Sequence, residues 1–158
     1  MPRLADDQCY RVVKPIDVQP ILSVLDRLQF VHVNNGGGNT GTCDVVLADK
    51  FPPPLKDFVA GLGLGGTTAR AVLRRLDARQ GISPHTDTWM PAEMDWRRFQ
   101  IPLVSHPDIV MRWPNDGVEV HLEPGWLYEV RFDRTHEVVH NADCARIHLQ
   151  IDQVDATV

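Results

Sequence analysis

Along the chain, apolar and polar residues change period once. Between residues 15 and 28, Ile16, Val18, Ile21, Leu22, Val24, Leu25 and Leu28 recur at mixed three- and four-residue spacings, which predicts an amphipathic helix with Pro15 in its first turn. Phe30-Val31-His32-Val33 then reads as a short strand, stopped by the Gly- and Asn-rich residues 34–42, which read as a loop. A second short helix is expected after Pro52-Pro53-Pro54, ending in the glycines of residues 61–66. Those glycines spell G-x-G-x-x-G, but a dinucleotide site needs a strand before that motif and a helix starting inside it. Here a helix precedes it and residues 67–76 read as a strand, so the glycines are taken as a helix stop and turn.

From residue 67 the pattern is that of strands. Arg98-Phe99-Gln100-Ile101-Pro102-Leu103 alternates polar and apolar residues, and Arg146-Ile147-His148-Leu149-Gln150-Ile151-Asp152 does so without a break. On a strand, alternate side chains point to opposite faces, so one face of each segment packs and the other is free for chemistry. Further strands are expected over residues 118–122, 126–132 and 136–139, the first two joined by a Pro124-Gly125 turn. The fold class expected is mainly β with N-terminal helices, a sandwich or barrel. Residues 1–158 are read as a single domain, with a helical flank and loops to about residue 66 and a β core over about 67–155.

Composition narrows the function. The 158 residues carry 16 Lys and Arg against 21 Asp and Glu, a formal charge of -5, which disfavours a long phosphate-neutralising footprint and so nucleic acid as a partner. No run of apolar residues is long enough for a membrane span or a signal-peptide core, so no membrane partner is expected and a cytoplasmic location is the default. The three cysteines are widely spaced and form no C-x-x-C pair, which fits a reducing compartment. A domain of this length needs no structural metal to hold its core, so a metal site here would serve chemistry.

The seven histidines supply the candidate. His85 and Asp87 are two residues apart, on one face of an extended backbone, and His136 opens a strand downstream. Two His and one carboxylate leave three positions open on an octahedral ion, the ligand set of non-haem Fe(II) oxygenases. The H-x-D pair is weak by itself, because a His near a strand is more often a surface or satisfied core residue. Arg146 adds to it. It lies ten residues after His136 on the cleanest alternating strand, and an inward Arg is costly unless it meets an anion, for which its planar fork suits a carboxylate. Together these residues describe a pocket for a dianion that chelates iron at one end, as 2-oxoglutarate does.

Over about residues 70–152 the chain resembles the aspartyl/asparaginyl β-hydroxylase family of Fe(II)- and 2-oxoglutarate-dependent oxygenases. The resemblance is carried by Gly81-Ile82-Ser83-Pro84-His85-Thr86-Asp87, Arg98-Phe99-Gln100-Ile101-Pro102-Leu103, His121-Leu122-Glu123-Pro124-Gly125, His136-Glu137-Val138 and the segment from Arg146 to Asp152. It implies a double-stranded β-helix, or jelly roll. It further implies His85, Asp87 and His136 as catalytic iron ligands and Arg146 at the distal carboxylate of 2-oxoglutarate. Arg98 would help hold the co-substrate, Gln100 stands where relatives commonly have His, and His148 shares the face of Arg146. The implied reaction uses O2 and 2-oxoglutarate, releases succinate and CO2, and hydroxylates an unactivated C–H. A free amino acid or short peptide is the expected substrate. Residues 34–42, residues 88–96, Arg70 and Arg74 are candidate recognition elements, and Trp89 and Trp96 read either as a lid or as packing at the barrel mouth. His140, where many bacterial relatives carry Asn, is either a neighbour of the site or a partly exposed strand end. Two other classes remain open: a cupin-type metal isomerase or dioxygenase without 2-oxoglutarate, and a non-catalytic ligand-binding barrel. Exposed strand edges leave room for a homodimer.

Overall fold

The structure, a computed structural model, describes residues 2–34, 42–87, 91 and 94–155. Its strands are β1 (Tyr10–Pro15), β2 (Val31–Asn34), β3 (Thr42–Leu47), β4 (Thr67–Leu76), β5 (Ile82–His85), β6 (Asp95–Val104), β7 (Ile109–Trp113), β8 (Val118–Val120), β9 (Trp126–Val130), β10 (His136–His140) and β11 (Arg146–Asp155). Two helices, α1 (Gln19–Leu22) and α2 (Pro53–Gly61), precede β4. A seven-stranded sheet runs β1-β9-β6-β11-β4-β3-β2, and a four-stranded sheet runs β5-β10-β7-β8. Neighbouring strands pair antiparallel, and from β4 to β11 the chain passes back and forth between the two sheets. This is a double-stranded β-helix.

The alternation of β11 sets the layers. Leu149 and Ile151, with Phe99 and Ile101 of β6 and Leu73 of β4, are fully buried in one cluster with Ile21 of α1 and Leu55 of α2. One face of the larger sheet is therefore sealed by the N-terminal helices, each such Leu or Ile contributing about 1.5–3 kcal/mol. Two smaller apolar clusters join the sheets. One contains Val72, Leu76, Ile82, Ile109 and Val138, and the other contains Met111, Trp113, Tyr128 and Val130. The polar residues of the alternation, Arg146, His148, Gln150 and Asp152, are also buried. Burying such groups is unfavourable unless each finds a partner, so their partners define what this interior is for.

The N-terminal portion corrects the sequence expectation. The helix predicted over residues 15–28 is instead one turn, α1, followed by a 3₁₀ turn at Leu25–Arg27, while Pro15 ends β1 opposite Trp126. No side chain caps α1, so nothing local favours extending it. Its apolar period is satisfied by burying Val18, Ile21 and Val24. The flank also yields β2 at Val31–Asn34, close to the strand read over residues 30–33, together with two strands not read from the sequence, β1 and β3. Later strands fall close to the predicted runs, with β4 at Thr67–Leu76 as read. No described helix is long and apolar enough to cross a membrane.

Candidate active site

His85 closes β5 and His136 opens β10, and the two residues are a direct cross-strand pair. Their rings lie 4.4 Å apart between centroids at 54°. His85 Nδ1 lies 2.8 Å from the Ser83 carbonyl, and His136 Nδ1 lies 2.7 Å from that of Arg134. A carbonyl only accepts, so each Nδ1 carries a proton, and in the neutral ring each Nε2 presents its lone pair, the arrangement that metal-ligating histidines use. Asp87, on the turn after β5, is fixed by its backbone N–H donating to the Phe132 carbonyl at 3.1 Å. Its Oδ1 is 3.6 Å from His85 Nε2 and its Oδ2 is 3.8 Å from His136 Nε2. The three ligand atoms lie within 4.8 Å of one another, so the residues predicted from sequence converge as a two-histidine, one-carboxylate set.

Backbone packing holds this set together. A Cβ on Gly81 would come within 2.6 Å of the Val138 carbonyl oxygen on β10, so only glycine lets β5 and β10 approach this closely. Gly81→Ala is expected to cost about 1–3 kcal/mol as an overpacked substitution and to displace His136 from His85. A metal titration should show affinity falling more than tenfold. Unchanged affinity would show that the close approach does not set the ligand geometry.

Behind Asp87 stands Arg98, 4% exposed. Its Nη1 donates to Asp87 Oδ2, while its Nε donates to Asp152 Oδ1 at 2.7 Å and its Nη2 to Asp152 Oδ2 at 3.3 Å. Burial by itself would raise the Asp87 pKa, but the charge and hydrogen bond of Arg98, followed by His136 and His85, hold it below the usual carboxylate range. Asp87 is therefore ionised and oriented. Arg98, expected at the co-substrate, lines the same cavity as Asp87 and is hydrogen-bonded to two carboxylates, so it orients the candidate ligand Asp87. Asp152 is reached by Arg70 as well, at 3.0 Å.

At the other end of the same row lies Arg146, also 4% exposed, with a hydrogen bond from Nη2 to Gln100 Oε1 at 3.4 Å. No carboxylate among the described residues pairs with it. Burial, then the charge of Arg74, lower its pKa to about 9, which leaves it cationic at neutral pH. His148 Nδ1 donates to the same Gln100 oxygen at 2.9 Å, and its buried Nε2 has no partner among the described residues. Burial, then the charges of Arg146 and His121, push the His148 pKa well below its ordinary value. Gln100 thus spends its oxygen on two donors, a task that a protonated imidazole in its place would not perform.

Unfolding returns His148 to an ordinary pKa of about 6.5, so below that pH the unfolded chain takes up a proton that the folded chain refuses. Stability is therefore complete above about pH 6.5 and declines as the pH falls toward 5. His148→Leu should flatten this decline, seen in urea midpoints at pH 7 and 5. Parallel declines in the two proteins would contradict a neutral buried His148.

The metal set, Arg98, Gln100, Arg146 and His148 all line one cavity of about 350 Å³, together with Arg70, Arg74 and Gln150. Its volume lies in the range of small-molecule sites. Sequence reasoning missed the roles of Gln150 and Asp152, although the two-residue period running on from Arg146 and His148 marks both. His140 is buried on the same face of β10 but lies outside this lining, with Nδ1 3.4 Å from the Ala142 N–H. The loop expected at residues 34–42 and the segment 88–96 fall largely outside the described residues. Within the latter, Trp96 donates to the Pro91 carbonyl at 3.1 Å.

By sequence, no protein-family model and no curated protein matches. Solved structures do. The chain is similar to the non-heme alpha ketoglutarate dependent epimerase SnoN from nogalamycin biosynthesis, at 16% identity and TM-score 0.66 over 94% of this chain and 79% of that one. It is similar to the viral collagen prolyl hydroxylase vCPH from Paramecium Bursaria Chlorella virus-1, at 7% identity and TM-score 0.63 over 96% and 98%. A predicted oxalate decarboxylase from Thermotoga maritima matches at 10% identity and TM-score 0.53 over 82% and 96%. Identities this low establish the jelly-roll fold. That fold is shared by the neighbours with 2-oxoglutarate in their names and by the predicted decarboxylase alike, and none of those named singles out the aspartyl/asparaginyl β-hydroxylases.

Proposed function

We propose that the protein is an Fe(II)- and 2-oxoglutarate-dependent oxygenase that hydroxylates a C–H bond of a free amino acid or short peptide, in the manner of the aspartyl/asparaginyl β-hydroxylases it resembles. One observation carries this reading: Arg146, a buried cation with no carboxylate partner among the described residues, shares a cavity with the His85, Asp87 and His136 set. The donor set suits a divalent iron, and the cation suits the far end of a dicarboxylate. The orphaned Nε2 of His148 in the same lining fits a polar ligand as well.

Bound at this site, iron and 2-oxoglutarate would supply the oxidising power for the hydroxylation, with O2 as the oxidant and succinate and CO2 as by-products. The chain's own residues do the positioning. His85 and His136 present fixed lone pairs, Arg98 keeps Asp87 ionised and aimed, and Arg146 anchors the co-substrate through its distal carboxylate. Gln100 holds Arg146 and His148 in register. Ile82, Met111 and Val138 complete the lining with apolar surface, and an apolar wall strengthens charged contacts made beside it. No side chain is required to act as a general acid or base.

Succinate formation tests the proposal. With Fe(II), ascorbate and 2-oxoglutarate, the protein should release succinate slowly alone and faster with its substrate from a panel of amino acids, and His136→Ala should release none. A metal-loaded protein that neither binds nor consumes 2-oxoglutarate would overturn the proposal. Metal-dependent turnover of another substrate, indifferent to Arg146→Ala, would instead identify a cupin-type enzyme.

A further inference from the structure

The cavity holds one more cation than the function above employs. Arg74 on β4 faces His148 on β11, and Arg146 faces Leu76, so the two arginines are diagonal neighbours on one face of the sheet. Such positions lie about 7–8 Å apart, within reach of long side chains. Both line the cavity. The other two arginines of the lining are already neutralised: Arg98 bridges Asp87 and Asp152, and Arg70 pairs with Asp152 at 3.0 Å. Two arginines and two aspartates thus balance. Arg74 has no carboxylate partner among the described residues, and its Nε is buried without a hydrogen-bond partner. It also lies close enough to Arg146 to disfavour that residue's charge. Two like charges held together in a partly dry cavity, one of them fully buried, are the mark of a site completed by an anion.

We propose that Arg74 is the second arm of the carboxylate site, so that Arg74 and Arg146 together grip the far carboxylate of a dicarboxylate whose near end meets the metal set. This rests on the function proposed above. One carboxylate offers about four acceptor positions, enough for two guanidinium forks. Arg146 is the rigid arm, tied to Gln100, and half-buried Arg74 is the arm that adjusts. A 2-oxo acid without a far carboxylate would leave both cations unneutralised, so the clamp selects dicarboxylates.

Calorimetric titration of the full chain with 2-oxoglutarate, and with glutarate as a probe of the far end, tests this. Arg74→Gln should weaken both ligands about 10–100-fold, the equivalent of one charge-assisted contact being lost, while Arg74→Lys restores part of the affinity. The Arg74→Gln/Arg146→Gln double variant should lose less than the product of the single losses, since the arms share one ligand. Thermal melting checks folding, and the milder Lys variant keeps the test open if the Gln variant unfolds. Unchanged affinity for both ligands in the Arg74 variants overturns the clamp, whether or not the KM for an amino-acid substrate rises. That result leaves 2-oxoglutarate chemistry standing. Arg74-dependent glutarate binding without any turnover of 2-oxoglutarate does the reverse: the clamp holds and the oxygenase reading falls. Binding of neither ligand by the unaltered protein overturns both.

Discussion

Replacing Arg146 with methionine is expected to do two opposite things: abolish 2-oxoglutarate binding and make the unliganded protein harder to unfold. The binding loss follows from removing a two-pronged cation. Hydrogen bonds to charged groups contribute about 1.5–3 kcal/mol each, so losing two costs at least roughly 100-fold in affinity. The stability gain follows from what Arg146 lacks without a ligand. It is 4% exposed, and among the described residues its side chain has a single hydrogen bond, of 3.4 Å to Gln100. Replacing a buried charge by an apolar side chain of similar length is often stabilising, by about 1–4 kcal/mol. A rise in melting temperature of the unliganded variant, with no further rise on adding 2-oxoglutarate, is the expected pattern. A variant that melts lower and still responds to 2-oxoglutarate would show that Arg146 is a structural residue.

The second large effect belongs to His136. His136→Ala removes one of the three proposed ligands, so the loss of iron affinity should exceed the 10–100-fold typical of altering a residue behind a ligand, and succinate release should vanish. His140→Ala, four residues along the same strand and outside the cavity lining, is the matched control and should keep its iron. Metal analysis after dialysis reads both. Equal iron in the two variants would remove His136 from the site.

The parts of the site legible in the sequence were those governed by a local period. Arg146 and His148 sit on an uninterrupted alternation, so a shared face follows from strand geometry alone, whereas the two-residue spacing of His85 and Asp87 points to the right pair although β5 ends at His85 and Asp87 lies just beyond it. What Arg98 does was not legible, because its partner Asp152 lies opposite it on β11 by a register that no local pattern specifies. The N-terminal strands show the same limit. Tyr10–Pro15 carries exposed as well as half-buried residues along the edge of the larger sheet, and its apolar content is too mixed for a two-residue period. Residues 15–28 erred the other way. A genuine three- and four-residue spacing is satisfied by a single helical turn and a 3₁₀ turn, because burial of Val18, Ile21 and Val24 against the sheet matters more than helical continuity.

In the proposed function, iron and 2-oxoglutarate occupy one cavity together, held at opposite ends by the metal set and by Arg146. Anaerobic calorimetry of 2-oxoglutarate binding to the Fe(II)-loaded and metal-free protein measures this directly. One equivalent should bind, more tightly with iron than without, and binding should be lost in Arg146→Met. Absence of binding in either form, or binding indifferent to both iron and Arg146, would contradict it.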